Sequence, residues 1–282
     1  MKIARVFCSK TSYCPTDEHS YFDVPDMFTP KDYDEVYISC TFTWDKQKIL
    51  FLQKAWKENA KKVFIGGPAF DGPPFGYSGK PFIPGMFVKK GVIFTSRGCP
   101  NKCKFCFVPW REGKLQEMPI KEGNIIQDNN FLACSDKHRS LVYEMLKNQK
   151  GIEFKGGLEA CRITSSEADK LRSLSIRSLF LACDTPSALK ETVKAIKILK
   201  KSGFTRHHIY CYVLCGKNMD EEYKRCEYIF EAGCMPFVQL YRDENNSIKY
   251  SQKWLLFARA LSRPASVWSI FNGKTKLFTD GK

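Results

Sequence analysis

The stretch Val92-Ile93-Phe94-Thr95-Ser96-Arg97-Gly98-Cys99-Pro100-Asn101-Lys102-Cys103-Lys104-Phe105-Cys106 decides how this chain is read. Val92–Thr95 is β-branched and aromatic and reads as a strand. It runs straight into a loop whose three cysteines, Cys99, Cys103 and Cys106, have the spacing C-x3-C-x2-C. Three thiolates close together suit an iron–sulfur cluster that keeps one metal position free of protein, whereas a closed structural zinc site takes four ligands. The alternative is a zinc loop completed by a distant fourth ligand, with Cys134 and His138 as candidates.

Downstream of this loop the chain alternates regularly. Asn124–Asp128 reads as a second strand ending in Asp128-Asn129-Asn130-Phe131, followed by a helix near 136–149. Ile152–Phe154 opens a third strand that leads into Gly156-Gly157-Leu158-Glu159, and Ser165–Ser173 is helical, with Ser166 and Asp169 spaced as a capping box. Leu179–Cys183, Ile209–Cys215 and Phe237–Leu240 are further strands. The amphipathic helix Leu189–Ser202 and the helix Glu221–Ala232 separate them, closed by Gly203 and Gly233. Strands alternating with helices in this rhythm predict a parallel sheet and a (β/α) barrel or most of one, with the cysteine loop at the C-terminal mouth of the first strand.

Upstream, Ile3–Cys8, Glu35–Cys40 and Val63–Ile65 read as strands. Asp45 is expected to cap a helix carrying Ile49, Leu50, Leu52, Ala55 and Trp56 on one face, with Lys61 and Lys62 toward its end. Strand, helix and strand at this spacing predict a βαβ unit. Residues 66–86 are rich in glycine and proline (Gly66, Gly67, Pro68, Gly72, Pro73, Pro74, Gly76, Gly79, Pro81, Pro84, Gly85) and read as the connection between two units. The expected organisation is a small α/β unit over 1–88, a barrel over 89–242 and a helical, basic extension over 243–282, with a helix around Trp254, Leu255, Phe257, Ala258 and Leu261.

At 43% hydrophobic and 27% charged, the composition is that of a globular protein rather than a disordered one. No run approaches the ~18 apolar residues of a membrane span, and the N-terminus lacks a signal-peptide pattern, so a cytoplasmic protein is expected. Thirteen cysteines, an odd number, point in a reducing compartment to metal ligands, redox groups or core residues rather than disulfides. The net charge of +15 attracts polyanions, so nucleic acid, an acidic electron-transfer protein and a merely solvated lysine-rich surface all remain open. His19, in a polar loop, reads as a surface residue.

The cysteine motif, with the aromatic Phe105 before its third cysteine, resembles the signature of the radical S-adenosylmethionine (SAM) superfamily, and the resemblance extends over residues 91–240. It implies a partial (β/α)6 radical-SAM barrel preceded by a small Rossmann-like βαβ unit. It also implies a [4Fe–4S] cluster on Cys99, Cys103 and Cys106, SAM on the open iron, and a flavodoxin- or ferredoxin-type electron donor. Phe105 would lean on the adenine. Asn129 and Asn130 fall on the family's second-strand motif for the SAM amino group, in a D-x-x-F form similar to that of methylthiotransferases and cobalamin-dependent enzymes. Glu159 and Arg162 follow the third strand, with Arg162 placed for the SAM carboxylate or, as the other reading, in a surface ion pair, and Asp184 follows the fourth, where the family sets an acid near the ribose. Leu214 and Gly216 match the adenine element G-x-I-x-G-x-x-E. Tyr212 and Met219 depart from it, with Asp220 next to Met219.

Cys161, Cys183 and Cys215 near strand ends, with Tyr212, are candidates for the substrate side, as radical relays or methyl carriers; core packing is the other reading of the cysteines. The N-terminal unit resembles reduced forms of the cobalamin-binding and methylthiotransferase domains. Cobalamin, an auxiliary iron–sulfur cluster on Cys8, Cys14 and Cys40, or plain thiols stay open there. The expected substrate is a nucleic-acid base, met by the basic and aromatic tail Lys249, Tyr250, Lys253, Trp254, Arg259, Arg263, Trp268, Lys274 and Lys276. A peptide or small-molecule substrate, with cobalamin-dependent methyl transfer as one form, is the alternative, and a non-catalytic metal-binding module is the third.

Overall fold

A computed structural model describes residues 1–69 and 83–273, which fall into two compact units: residues 1–92 with 242–248, and residues 93–241 with the segment from 249. Of the expected connection, Gly72, Pro73, Pro74, Gly76, Gly79 and Pro81 lie outside the described residues, as do Lys274 and Lys276 of the basic tail.

In the first unit, β1 (Ile3–Phe7), β2 (Ser20–Tyr21), β3 (Tyr33–Ser39) and β4 (Ala60–Gly66) form a parallel sheet in the order β2-β1-β3-β4. Helix α1 (Lys46–Ala55) makes the β3–β4 crossover. Alternation along β1 and β3 puts Ala4, Val6 and Cys8 beside Val36, Ile38 and Cys40 in one buried cluster with Ile49, Leu52 and Trp56 of α1 and the residue after it. Leu50 does not join them: at 49% exposure it sits on the solvent side. Asp45 stands at the N-cap but makes no cap hydrogen bond, because its Oδ2 accepts from Ser9 Oγ at 2.7 Å. His19 is held by Tyr33, whose hydroxyl lies 3.1 Å from Nδ1.

The second unit carries a six-stranded parallel sheet in the order β12-β11-β10-β9-β8-β5, so each strand lies beside its successor in the chain. The strands are β5 (Val92–Ile93), β8 (Ile125–Ile126), β9 (Ile152–Leu158), β10 (Ile176–Ala182), β11 (Ile209–Cys215) and β12 (Met235–Leu240). A hairpin of β6 (Ser96–Arg97) and β7 (Gln116–Glu117) flanks the short helix α2 (Val108–Arg111) within the β5–β8 connection. The later crossovers are α3 (Asp136–Lys147), α4 (Ser165–Arg172), α5 (Leu189–Lys201) and α6 (Met219–Ala232). The tail folds as two helices, α7 (Gln252–Ala260) and α8 (Pro264–Phe271), both against β12. Among the described residues no helix is long and apolar enough to cross a membrane.

β5 is shorter than the expected Val92–Thr95 for a specific reason. The Thr95 N–H is taken by Asp128 Oδ1 at 2.6 Å, a side chain in place of a neighbouring strand's carbonyl. The cap of α4 also differs from the expected Ser166–Asp169 box. Thr164 is the N-cap, and its Oγ1 accepts from Glu167 N at 3.2 Å, while Glu167 turns its carboxylate to Arg139 and Tyr143. Thr164→Ala is expected to cost about 1 kcal/mol in chemical denaturation, and Ser166→Ala much less.

Candidate functional site

In a parallel sheet all C-terminal strand ends lie along one edge, and the loops there gather the polar residues of the second unit. The cysteine loop follows β5 and β6, residues 128–130 follow β8, Glu159–Arg162 follow β9, Asp184 follows β10, and Gly216 follows β11.

Glu112, just after α2, ties the base of the cysteine loop. It pairs with Arg97, its Oε2 accepts from Gly98 N at 3.1 Å, and it also takes the amide of Asn129. Gly98 has φ +74°, and a Cβ there would lie 2.2 Å from the Lys114 carbonyl oxygen, so the turn into Cys99 requires glycine. Asp128 is buried beneath it. Its Oδ1 takes the Thr95 N–H, and its Oδ2 takes the Thr95 and Ser96 hydroxyls at 2.5 and 2.8 Å. Burial pushes the Asp128 carboxyl up, against the pull of these donors.

A second network joins the loop to β9. Asn130 Nδ2 donates to Glu159 Oε2 at 2.8 Å and lies 3.6 Å from Cys99 Sγ, while Asn101 Nδ2 donates to Glu159 Oε1 at 2.8 Å. Arg162 Nε donates to Glu159 Oε2 at 2.5 Å, so the arginine assigned from sequence to a ligand carboxylate has a protein carboxylate as its partner here. Asn130 Oδ1 is buried and has no hydrogen-bond partner among the described residues. Burial works against the Glu159 carboxylate, but the amides of Asn130 and Asn101 and the Arg162 guanidinium together hold its carboxyl below the usual range. A depressed acid contributes stability above its unfolded value that is lost as pH falls through the folded one. Urea midpoints below pH 5 are therefore expected to fall less steeply for Glu159→Gln than for the unaltered chain.

All thirteen cysteines are free thiols, and only Cys99, Cys103, Cys106 and Cys161 escape burial. Burial raises the Cys103 thiol, and Cys106, Cys99, Asp184 and Glu159 raise it further by charge. Burial likewise raises Cys106, and the charges of Cys99, Asp184 and Glu112 add to this against the Val108 N–H. Cys103 and Cys106 thus both feel the charge of Asp184, with Glu159 acting on Cys103 and Glu112 on Cys106. Such charges favour a cation, which would draw the thiols to thiolates. No group of three or more His, Cys, Asp or Glu among the described residues is arranged to hold a metal ion. The two residues considered as a fourth zinc ligand have other neighbours. Cys134 is buried against the Ser96 hydroxyl, and His138 Nδ1 lies 3.9 Å from Glu117.

Phe105 is half-buried in the loop. Burial pushes the Asp184 carboxyl up against the Leu214 N–H and the charge of Arg225. Leu214 O accepts from Arg225 Nη2 at 2.6 Å, and Gly216 N donates to Glu222 Oε2 at 2.9 Å. Cys183 and Cys215 are buried. The Tyr212 hydroxyl donates to the Lys155 carbonyl at 2.9 Å. Of the substrate-side candidates only Cys161 is exposed, its thiol hydrogen-bonded to Glu159. In the tail, Tyr250 packs on Gly216 and donates to Tyr241 O at 2.7 Å, and Trp254 packs edge-on against Tyr250 and Phe257. Sequence reasoning missed Asn101, Glu112, Asp128 as a buried acceptor, and Glu222. Only the polar residue types in ordered loops signalled them.

No protein-family model matches this chain, and no curated protein matches it.

Proposed function

We propose that the chain is a radical SAM enzyme in which Cys99, Cys103 and Cys106 ligate a [4Fe–4S] cluster. The observation that carries this reading is the contrast among the thiols. Nine are buried, and three of the four that are not belong to one eight-residue loop at the C-terminal edge of a parallel sheet. By number and spacing, three sulfur donors on one short loop suit a group with three protein-bound irons and one open position, which would have to draw them together from their present places. The sequence-ordered sheet supports a partial (β/α)6 barrel, because right-handed crossovers between successive neighbours place all helices on one face and curl the sheet.

When bound, the cluster and SAM supply one-electron cleavage of the C5′–S bond and a 5′-deoxyadenosyl radical that takes a hydrogen atom from substrate. The protein's residues bind and orient. Asn130 would offer its buried Oδ1, which has no partner among the described residues, to the ammonium group of SAM. Glu159 holds Asn130 and Asn101 in place. Asp184 and the Leu214–Gly216 strand end would meet the ribose and adenine. Arg162 would leave Glu159 to meet the SAM carboxylate. Phe105 shields the site from water. Cys161, an exposed thiol after β9, would meet substrate.

A flavodoxin- or ferredoxin-type protein supplies the electron. The +15 charge favours a nucleic-acid substrate over a peptide or small molecule, and salt-sensitive binding to RNA or DNA separates the two. Anaerobic incubation of the iron-loaded chain with SAM and dithionite tests the activity. The reading predicts 5′-deoxyadenosine and methionine in equal amounts, and their absence from fully loaded protein overturns it.

A further inference from the structure

Cys8 and Cys40 have no role in the proposed chemistry, which lies entirely in the second unit. β1 and β3 are parallel with Ala4 opposite Val36, Val6 opposite Ile38 and Phe7 opposite Ser39. The ladder continues one residue further, with Cys8 N donating to Ser39 O at 3.1 Å, which brings Cys8 opposite Cys40. Both continue the inward rows of their strands, so both side chains lie on the same face, at 1% and 0% exposure. The Cys40 thiol donates to Phe42 O at 3.2 Å. Neighbouring strands are ~4.8 Å apart, inside the Cα separation of about 4.4–6.8 Å that a disulfide spans. Both residues lie just past the regular strands, and the Cys40 backbone is held by Gly66 O at 2.8 Å and Ala69 N at 3.0 Å. Cys14 is not part of the pair: its sulfur meets Thr11 N at 3.4 Å, Thr11 Oγ1 at 3.3 Å and Ser9 O at 3.8 Å.

We propose that Cys8 and Cys40 are a redox-active dithiol that closes to a disulfide across the β1–β3 edge when a small peroxide reaches it. The Cys40 thiolate attacks the peroxide O–O bond, forming a sulfenic acid and releasing water. The Cys8 sulfur then displaces the hydroxyl, forming S–S and releasing a second water. The dithiol loses two electrons and two protons, and the peroxide is reduced.

The test is peptide mapping of the full chain after hydrogen peroxide and alkylation under denaturing conditions. Trypsin places Cys8 in residues 6–10, Cys14 in residues 11–31 and Cys40 in residues 32–46, so the connection is read directly. The expected product joins 6–10 to 32–46 with the loss of two hydrogens, returns to separate alkylated peptides after reduction, and persists in Cys14→Ser. Oxidised protein in which Cys8 and Cys40 both remain alkylatable, or in which either is joined to Cys14, overturns the proposal. This result is independent of iron or SAM binding, since the loop cysteines fall on other tryptic peptides.

Discussion

Replacing Cys103 with alanine is expected to reduce iron-dependent SAM cleavage to background while leaving the fold intact. Cys103 is exposed, so its loss removes no core packing, and urea unfolding of the iron-free chain is expected to change by no more than about 0.5 kcal/mol. Its loss leaves two protein thiolates on the loop where a cluster needs three, and the acidic surroundings of Asp184 and Glu159 provide no sulfur in its place. Cys161→Ala is the informative partner, since that thiol is also exposed but lies beyond β9. It is expected to retain iron and SAM cleavage and to lose only turnover of substrate. Iron content and 5′-deoxyadenosine measured on both variants check this. Full SAM cleavage by Cys103→Ala would remove the loop from the chemistry.

The largest loss of stability is expected from Gly156→Ala. A Cβ at this position would lie 1.9 Å from the Asp128 carbonyl oxygen and 2.7 Å from its carbon. Both atoms are backbone and cannot rotate aside, so β8 and β9 would have to part at the point where Asp128 anchors Thr95 and Ser96. The expected cost is about 3 kcal/mol, at the upper end for overpacking, and iron uptake should fall with it, because Asn130 and the cysteine loop hang from the same junction. Gly157→Ala is the contrast. Its φ of +102° disfavours a side chain, but nothing lies within 4 Å of the added Cβ, so about 1–2 kcal/mol of backbone strain is expected and no displacement of the loop. Equal costs for the two variants would contradict the close-approach argument.

The strand–helix rhythm was legible because each crossover carries its own punctuation. Gly233, at φ +101°, ends α6, and Asn218 caps its start by accepting from Asp220 N and Glu221 N. Short elements were less legible. β2 is two residues within a polar segment, and α8 begins at Pro264, a residue that suits a first helical turn but reads in isolation as a breaker. The cysteine loop stood out by its spacing, and Asn130, Glu159 and Asp184 by the resemblance; the fold joins Asn130 to Glu159. Glu112 and Asn101 carry no periodicity, so only the folded chain brings them to Gly98 and Glu159. For Arg162 a surface ion pair was the other reading, and the structure shows one, with Glu159 in an i,i+3 contact across the single turn between β9 and α4. Glu222, three residues beyond Met219, accepts from Gly216 N and Lys217 N, a role no fixed spacing announced.

The most direct measurement is the metal content and low-temperature electron paramagnetic resonance of the anaerobically reconstituted chain, reduced by dithionite with and without SAM. The account predicts about four irons and four acid-labile sulfides per chain, with a reduced-cluster signal whose g-values move when SAM is added. Zinc without sulfide, or a cluster signal that SAM leaves unchanged, would contradict it.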